Sequence, residues 1–80
     1  MDRNQIEQRV LTVLSAILQH QLSVADDVTR QNTAEWDSLK HVQIMFALEE
    51  ELGIEFSEEE LVKLDSMAKI IRAAEAKNAA

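Results

Sequence analysis

The chain has no proline and a single glycine, Gly53, in 80 residues. These two residue types interrupt helices most strongly, by roughly 3 and 1 kcal/mol relative to alanine. With both nearly missing, apolar spacing decides where helices run. Cysteine is absent as well, which excludes a disulfide scaffold, a thiolate metal site and a cysteine nucleophile. A chain this short buries only roughly 60% of its unfolded surface. Its apolar residues, 46% of the total, suffice for one small core and leave little for a buried catalytic cavity.

Spacing and capping residues predict four helices. The first covers residues 3–19. Asp2 caps it, Gln5 completes a capping box, and Ile6, Val10, Val13, Leu14, Ile17 and Leu18 form one stripe at helical intervals. The second covers 38–52, with Asp37 or Ser38 as its cap and Gly53 as the left-handed residue that stops it. Leu39, Val42, Ile44, Met45, Phe46, Leu48 and Leu52 span more than one of its faces, so Leu39 and Phe46 are expected to meet a partner. A short third helix over 58–64 opens with a Ser57/Glu60 capping box. The fourth opens at Asp65-Ser66, carries Met67, Ile70 and Ile71, and leads into an alanine-rich tail over 73–80.

Residues 20–37 lack helical periodicity. Asp26-Asp27 and Gln31-Asn32-Thr33 are turn formers, while Leu22, Val24 and Val28 stand as isolated apolar anchors. A loop this long in a small domain usually has a job. The expected fold is all-α: one domain over residues 1–80, a small four-helix bundle with a long loop between its first two helices and a short third helix.

Fifteen acids against eight bases give a net charge of −7. No basic face exists to hold a phosphate backbone, which argues against nucleic-acid binding. Seven of the acids crowd into residues 49–60 with no base among them, so a partner steered by that stretch is expected to be basic. No apolar run approaches the roughly 20 residues of a membrane span, and nothing resembles a signal peptide. A cytoplasmic monomer is the expectation.

Catalytic signals are weak. His20 and His41 are the only imidazoles, both read as exposed residues near helix ends, and neither belongs to a metal-binding or nucleophile pattern. The acids lack calcium-loop spacing, and one glycine cannot make a phosphate cradle. No catalytic residue and no metal ligand is assigned. The chemistry-bearing segment is Trp36-Asp37-Ser38-Leu39, where a serine opens a helix at the positive end of its dipole and a phosphate attached to it would be stabilised.

In context, this segment is distinctive. Asp37-Ser38-Leu39, then Val42 and Ile44, then residues 47–56 (Ala-Leu-Glu-Glu-Glu-Leu-Gly-Ile-Glu-Phe) follow a helix and a long loop in an acidic chain. The pattern resembles the acyl carrier protein family, in its free-standing bacterial form, over roughly residues 6–74. The resemblance implies that Ser38 is the attachment point of 4′-phosphopantetheine, delivered from coenzyme A by a phosphopantetheinyl transferase, with Asp37 and Leu39 flanking the site. It implies that the arm carries acyl or aminoacyl groups as thioesters for fatty acid, polyketide or related biosynthesis. It also implies a partner face on the second helix, here Asp37, Leu39, Lys40, Gln43, Phe46, Glu49 and Glu50, read by acyl-loading and acyl-processing enzymes with basic docking faces. Acyl chains can tuck between the helices of such carriers, and Ile44, Leu48, Ile54 and Leu61 are the expected lining.

The chain departs from the fatty-acid pattern. Glu35 replaces a glycine, Trp36 precedes Asp37, and Lys40-His41 and Gln43 interrupt the acids that usually follow the serine. W-D-S-L is similar to carriers of specialised pathways, which implies a different partner set. Two alternatives carry no modified serine: a non-enzymatic helical adaptor that binds a basic partner through the second helix, and an acidic mimic of nucleic acid.

Overall fold

The computed structural model describes residues 2–23 and 25–78. Four helices run in order: α1 (Arg3–Leu18), α2 (Ser38–Leu52), α3 (Glu58–Lys63) and α4 (Met67–Asn78). The all-α bundle expected from spacing is the observed fold, with no strand among the described residues and one isolated antiparallel bridge, Thr29 to Ser66.

Each start follows from its cap. Asp2 and Gln5 close the capping box of α1, and Ser57 and Glu60 close that of α3. Ser66 Oγ accepts the Lys69 N–H at 3.1 Å at the head of α4. Both long helices end on a left-handed residue, Gly53 for α2 (φ 65°) and Gln19 for α1 (φ 59°). The first helix therefore stops one residue earlier than its spacing predicts. Nothing in the identity of Gln19 announces a stop, because only glycine, and to a lesser degree asparagine, favours that conformation.

α1 packs against α2 and α4. Ile6, Val10, Leu11, Leu14 and Leu18 face Ile44, Met45, Leu48, Leu52, Ile70, Ile71 and Ala74 in one core. Leu11 joins the stripe, whereas Val13 and Ile17 lie at its half-buried margin. α3 buries no residue completely; Leu61 packs on the core edge, and Lys77 of α4 pairs with Glu60 at 2.8 Å. The radius of gyration, 11.4 Å, matches the roughly 11.6 Å expected of a folded chain this long.

The crossover loop is tied down by backbone hydrogen bonds to the α3–α4 junction. Arg30 N–H donates to Asp65 O at 2.8 Å, and Met67 N–H donates to Val28 O at 2.9 Å. Val28 and Trp36 are buried and Leu22 is half-buried. Val24, the third expected anchor, lies outside the described residues, as do the last two alanines of the tail. No helix among the described residues is long and apolar enough to cross a membrane.

Candidate functional site

The start of α2 sorts its two polar residues into separate roles. Asp37 is the cap: its backbone is extended, and its Oδ1 accepts the Lys40 N–H at 2.8 Å. Ser38 is the first helical residue and is exposed. Its Oγ accepts a hydrogen bond from Arg30 Nη2 at 2.8 Å. The serine hydroxyl thus stands at the helix tip with no capping duty. No carboxylate or imidazole among the described residues is hydrogen-bonded to it.

His41 is not the exposed residue that the sequence suggests. It is buried, 7% exposed, and lies between two partners. The Trp36 indole N–H donates to His41 Nδ1 at 2.9 Å, and Nε2 faces the Leu61 carbonyl of α3. Because Nδ1 accepts, the imidazole proton sits on Nε2, where the carbonyl receives it. The two rings stack with centroids 6.0 Å apart. Trp36 itself is 2% exposed. Through His41, Trp36 therefore joins the loop, α2 and α3 immediately beside Ser38. His20 does remain exposed; it pairs with Glu35 at 2.9 Å, and this hydrogen bond, before any other cause, holds the Glu35 carboxyl below its ordinary range.

Leu39, Gln43, Phe46 and Glu50 are exposed at intervals of three and four, so they share one face of α2. Leu39 is 66% and Phe46 61% exposed. Lys40 and Glu49 are only half-buried contributors to that surface. Glu49 is engaged within the fold, since its Oε2 accepts the Phe56 N–H at 2.8 Å. The acidic stretch is similarly divided: Glu51 pairs with Arg9, Glu59 with Lys63 and Glu60 with Lys77.

Between α2 and α3 runs an apolar groove of about 260 Å³, lined by His41, Val42, Met45, Phe46, Leu61 and Val62. Val42 stands one turn after Ser38, on the same side of the helix. Ile44 and Leu48 are completely buried in the core shared with α1, and only Leu61 of the four expected residues faces the groove.

Three residues escaped the sequence reading. Val42 and Val62 widen the apolar surface; among the apolar residues that span more than one face of α2, spacing alone does not single out Val42, and Val62 sits in a helix too short for a stripe. Arg30 had one signal, as the only Lys or Arg between Arg9 and Lys40. Its eight-residue separation from Ser38 gives no hint that the two touch. No group of three or more His, Asp or Glu among the described residues is arranged to hold a metal ion.

Compared with protein-family models and with curated proteins, the chain matches none.

Proposed function

We propose that the chain is an acyl carrier protein whose Ser38 bears 4′-phosphopantetheine. The observation that carries this reading is the Ser38 hydroxyl itself, exposed at the first position of α2, released from capping by Asp37 and, among the described residues, hydrogen-bonded only to Arg30. A phosphodiester suits this position. Backbone N–H groups at the helix tip and a guanidinium both favour an anion there. When attached, the arm supplies a terminal thiol that holds cargo as a thioester, a function for which this cysteine-free chain has no side chain.

Each residue then has a part. Ser38 Oγ bonds to the pantetheine-side phosphorus of coenzyme A as the bond to the bridging pyrophosphate oxygen breaks. Adenosine 3′,5′-bisphosphate leaves, and a base of the transferase takes the Oγ proton. Asp37 holds the first turn of α2 in place. Leu39, Val42, Gln43 and Phe46 offer a flat apolar face with a polar border, a surface suited to brief docking on successive enzymes. The groove between α2 and α3 offers apolar cargo a place out of water. Partners with basic patches suit Glu50, Glu55 and Glu58, which form no ion pair among the described residues. A monomer in the cytoplasm, where coenzyme A and the transferase are found, completes the reading.

Incubation with coenzyme A, magnesium and a promiscuous transferase tests it. The expected result is a mass gain of one phosphopantetheine, absent in Ser38→Ala. Several transferases leaving the mass unchanged would refute the carrier reading.

A second reading has its own support. Leu39, Val42, Phe46 and Val62 are all exposed large apolar residues, as expected of an adaptor that lays α2 and α3 against a partner groove. An adaptor would keep its partner affinity in Ser38→Ala and stay unmodified.

A further inference from the structure

We propose that Arg30 is the resident counter-ion of the modified serine, and that it transmits the modification from α2 to the α3–α4 junction. This rests on the reading of Ser38 as the phosphopantetheine site.

The Arg30 guanidinium is spent on a neutral partner. The chain carries fifteen acids, yet Arg30 enters none of the ion pairs among the described residues. It donates instead to the neutral Ser38 hydroxyl at 2.8 Å. Its positive charge is therefore left unneutralised at the one atom where the proposed modification adds a negative charge. Once Oγ is a phosphodiester oxygen, the planar fork of N–H donors meets two non-bridging oxygens, the acceptor geometry guanidinium fits best. The neighbouring Asp37 carboxylate, fixed as the α2 cap, repels that phosphodiester. A cation in contact with Oγ offsets the repulsion.

The base of the Arg30 side chain is fixed. Thr29 N–H donates to Asn32 Oδ1 at 2.9 Å, and Asn32 N–H donates back to Thr29 Oγ1 at 3.1 Å. These bonds close a turn with Arg30 at its tip. Arg30 N–H donates to Asp65 O, and Thr29 bridges Ser66. A stronger Arg30 contact at Ser38 therefore pulls on the junction between α3 and α4, whereas a lysine or glutamine at position 30 offers no fork. The arm becomes an internal brace of the crossover loop as well as a tether.

The test uses apo and modified forms of the wild-type protein, Arg30→Gln and Arg30→Lys, each checked by mass and circular dichroism. Modification is expected to raise the wild-type melting temperature by about 1–5 °C, the range one exposed ion pair supports in a domain of this size. The rise should shrink between 0.05 and 0.5 M NaCl. Hydrogen-exchange protection of the Arg30 and Met67 amides should increase on the order of two- to fivefold. Arg30→Gln should lose more than half of each effect, and Arg30→Lys should keep an intermediate share. Equal effects in wild type and Arg30→Gln, or no effect in modified wild type, overturn the role of Arg30 and leave the carrier reading standing. Wild-type protein that takes no arm from any transferase sinks both.

Discussion

Asp37 and Ser38 divide two tasks that a single N-terminal serine often combines. Asp37 meets the orphan N–H of Lys40, and Ser38 keeps its hydroxyl outward. Their substitutions should separate accordingly. Asp37→Ala should cost about 1 kcal/mol, the usual loss of an N-cap, while Ser38→Ala should stay within about 0.5 kcal/mol of wild type. Urea unfolding of the two variants checks this, and equal losses would mean that Ser38 shares the cap. A third residue-scale test concerns Trp36. Trp36→Phe removes the donor to His41 Nδ1 and leaves a buried acceptor unpaired, which costs about 1–3 kcal/mol, apart from any lost packing. Trp36 is the only tryptophan, so circular dichroism must follow the transition. An unchanged midpoint would show that water or a rotated imidazole replaces the indole without loss. Neither partner of this pair was legible in advance. A histidine in the first turn of a helix is usually exposed, and its burial here is decided by where α3 happens to cross.

At the scale of elements, α1 and α2 end by the same backbone device with different residues. Gly53 and Gln19 both adopt a left-handed conformation, at φ 65° and 59°. A Cβ at Gly53 would meet no atom within 4 Å, so Gly53→Ala is opposed by conformation alone, at about 1–2 kcal/mol. Gln19→Gly removes the same penalty and should stabilise α1 by up to about 1 kcal/mol. In a domain of this size each kcal/mol moves the melting temperature by about 4–8 °C, so thermal melts should shift in opposite directions. Shifts of the same sign would place the cost elsewhere than in φ. α3 presents the reverse situation. With no fully buried residue of its own, it is held by its capping box, by the Glu60–Lys77 pair, by the approach of Lys77 to the Phe56 ring at 5.8 Å, and by the His41 contact with its Leu61 carbonyl. The buried Phe56 and Leu64 flank it on either side, and the apolar groove lies on its seam with α2.

Over the whole molecule, two electrostatic effects oppose each other as pH falls. The net charge of −7, with a pI near 4.6, means that acidification from neutrality first relieves repulsion. Further down, the paired carboxyls act in the other direction. Glu60, held chiefly by its hydrogen bond to Lys77, and Asp65, held chiefly by Lys69, both titrate below their ordinary values of 4.5 and 3.8. A carboxyl whose folded pKa is depressed adds stability above its unfolded pKa, and that contribution is lost as pH falls through the folded value. The melting temperature should therefore rise from pH 7 toward the pI, pass a maximum, and fall below about pH 4. Glu60→Gln keeps an acceptor for the Ser57 N–H and loses the charge, so it should flatten the acid limb. A melting temperature still rising at pH 3 in low salt would remove the depressed carboxyls from the account.

The amino-acid sequence by itself determined the four helices, most of their caps, the irregular crossover and the serine at the head of α2. These are properties of neighbours within a few positions: spacing sets an apolar stripe, and a short polar side chain reaches the next turn's N–H. Only tertiary structure decided that Asp37 rather than Ser38 is the cap in use, that His41 is buried against Trp36 and Leu61, that Ile44 and Leu48 belong to the core rather than the groove, and that Arg30 touches Ser38. The burial of His41 and the Arg30 contact depend on how a long loop and a short helix close over α2, and the placement of Ile44 and Leu48 depends on how α1 packs against it. That closure is set by contacts between residues distant in the chain, and no local pattern encodes it.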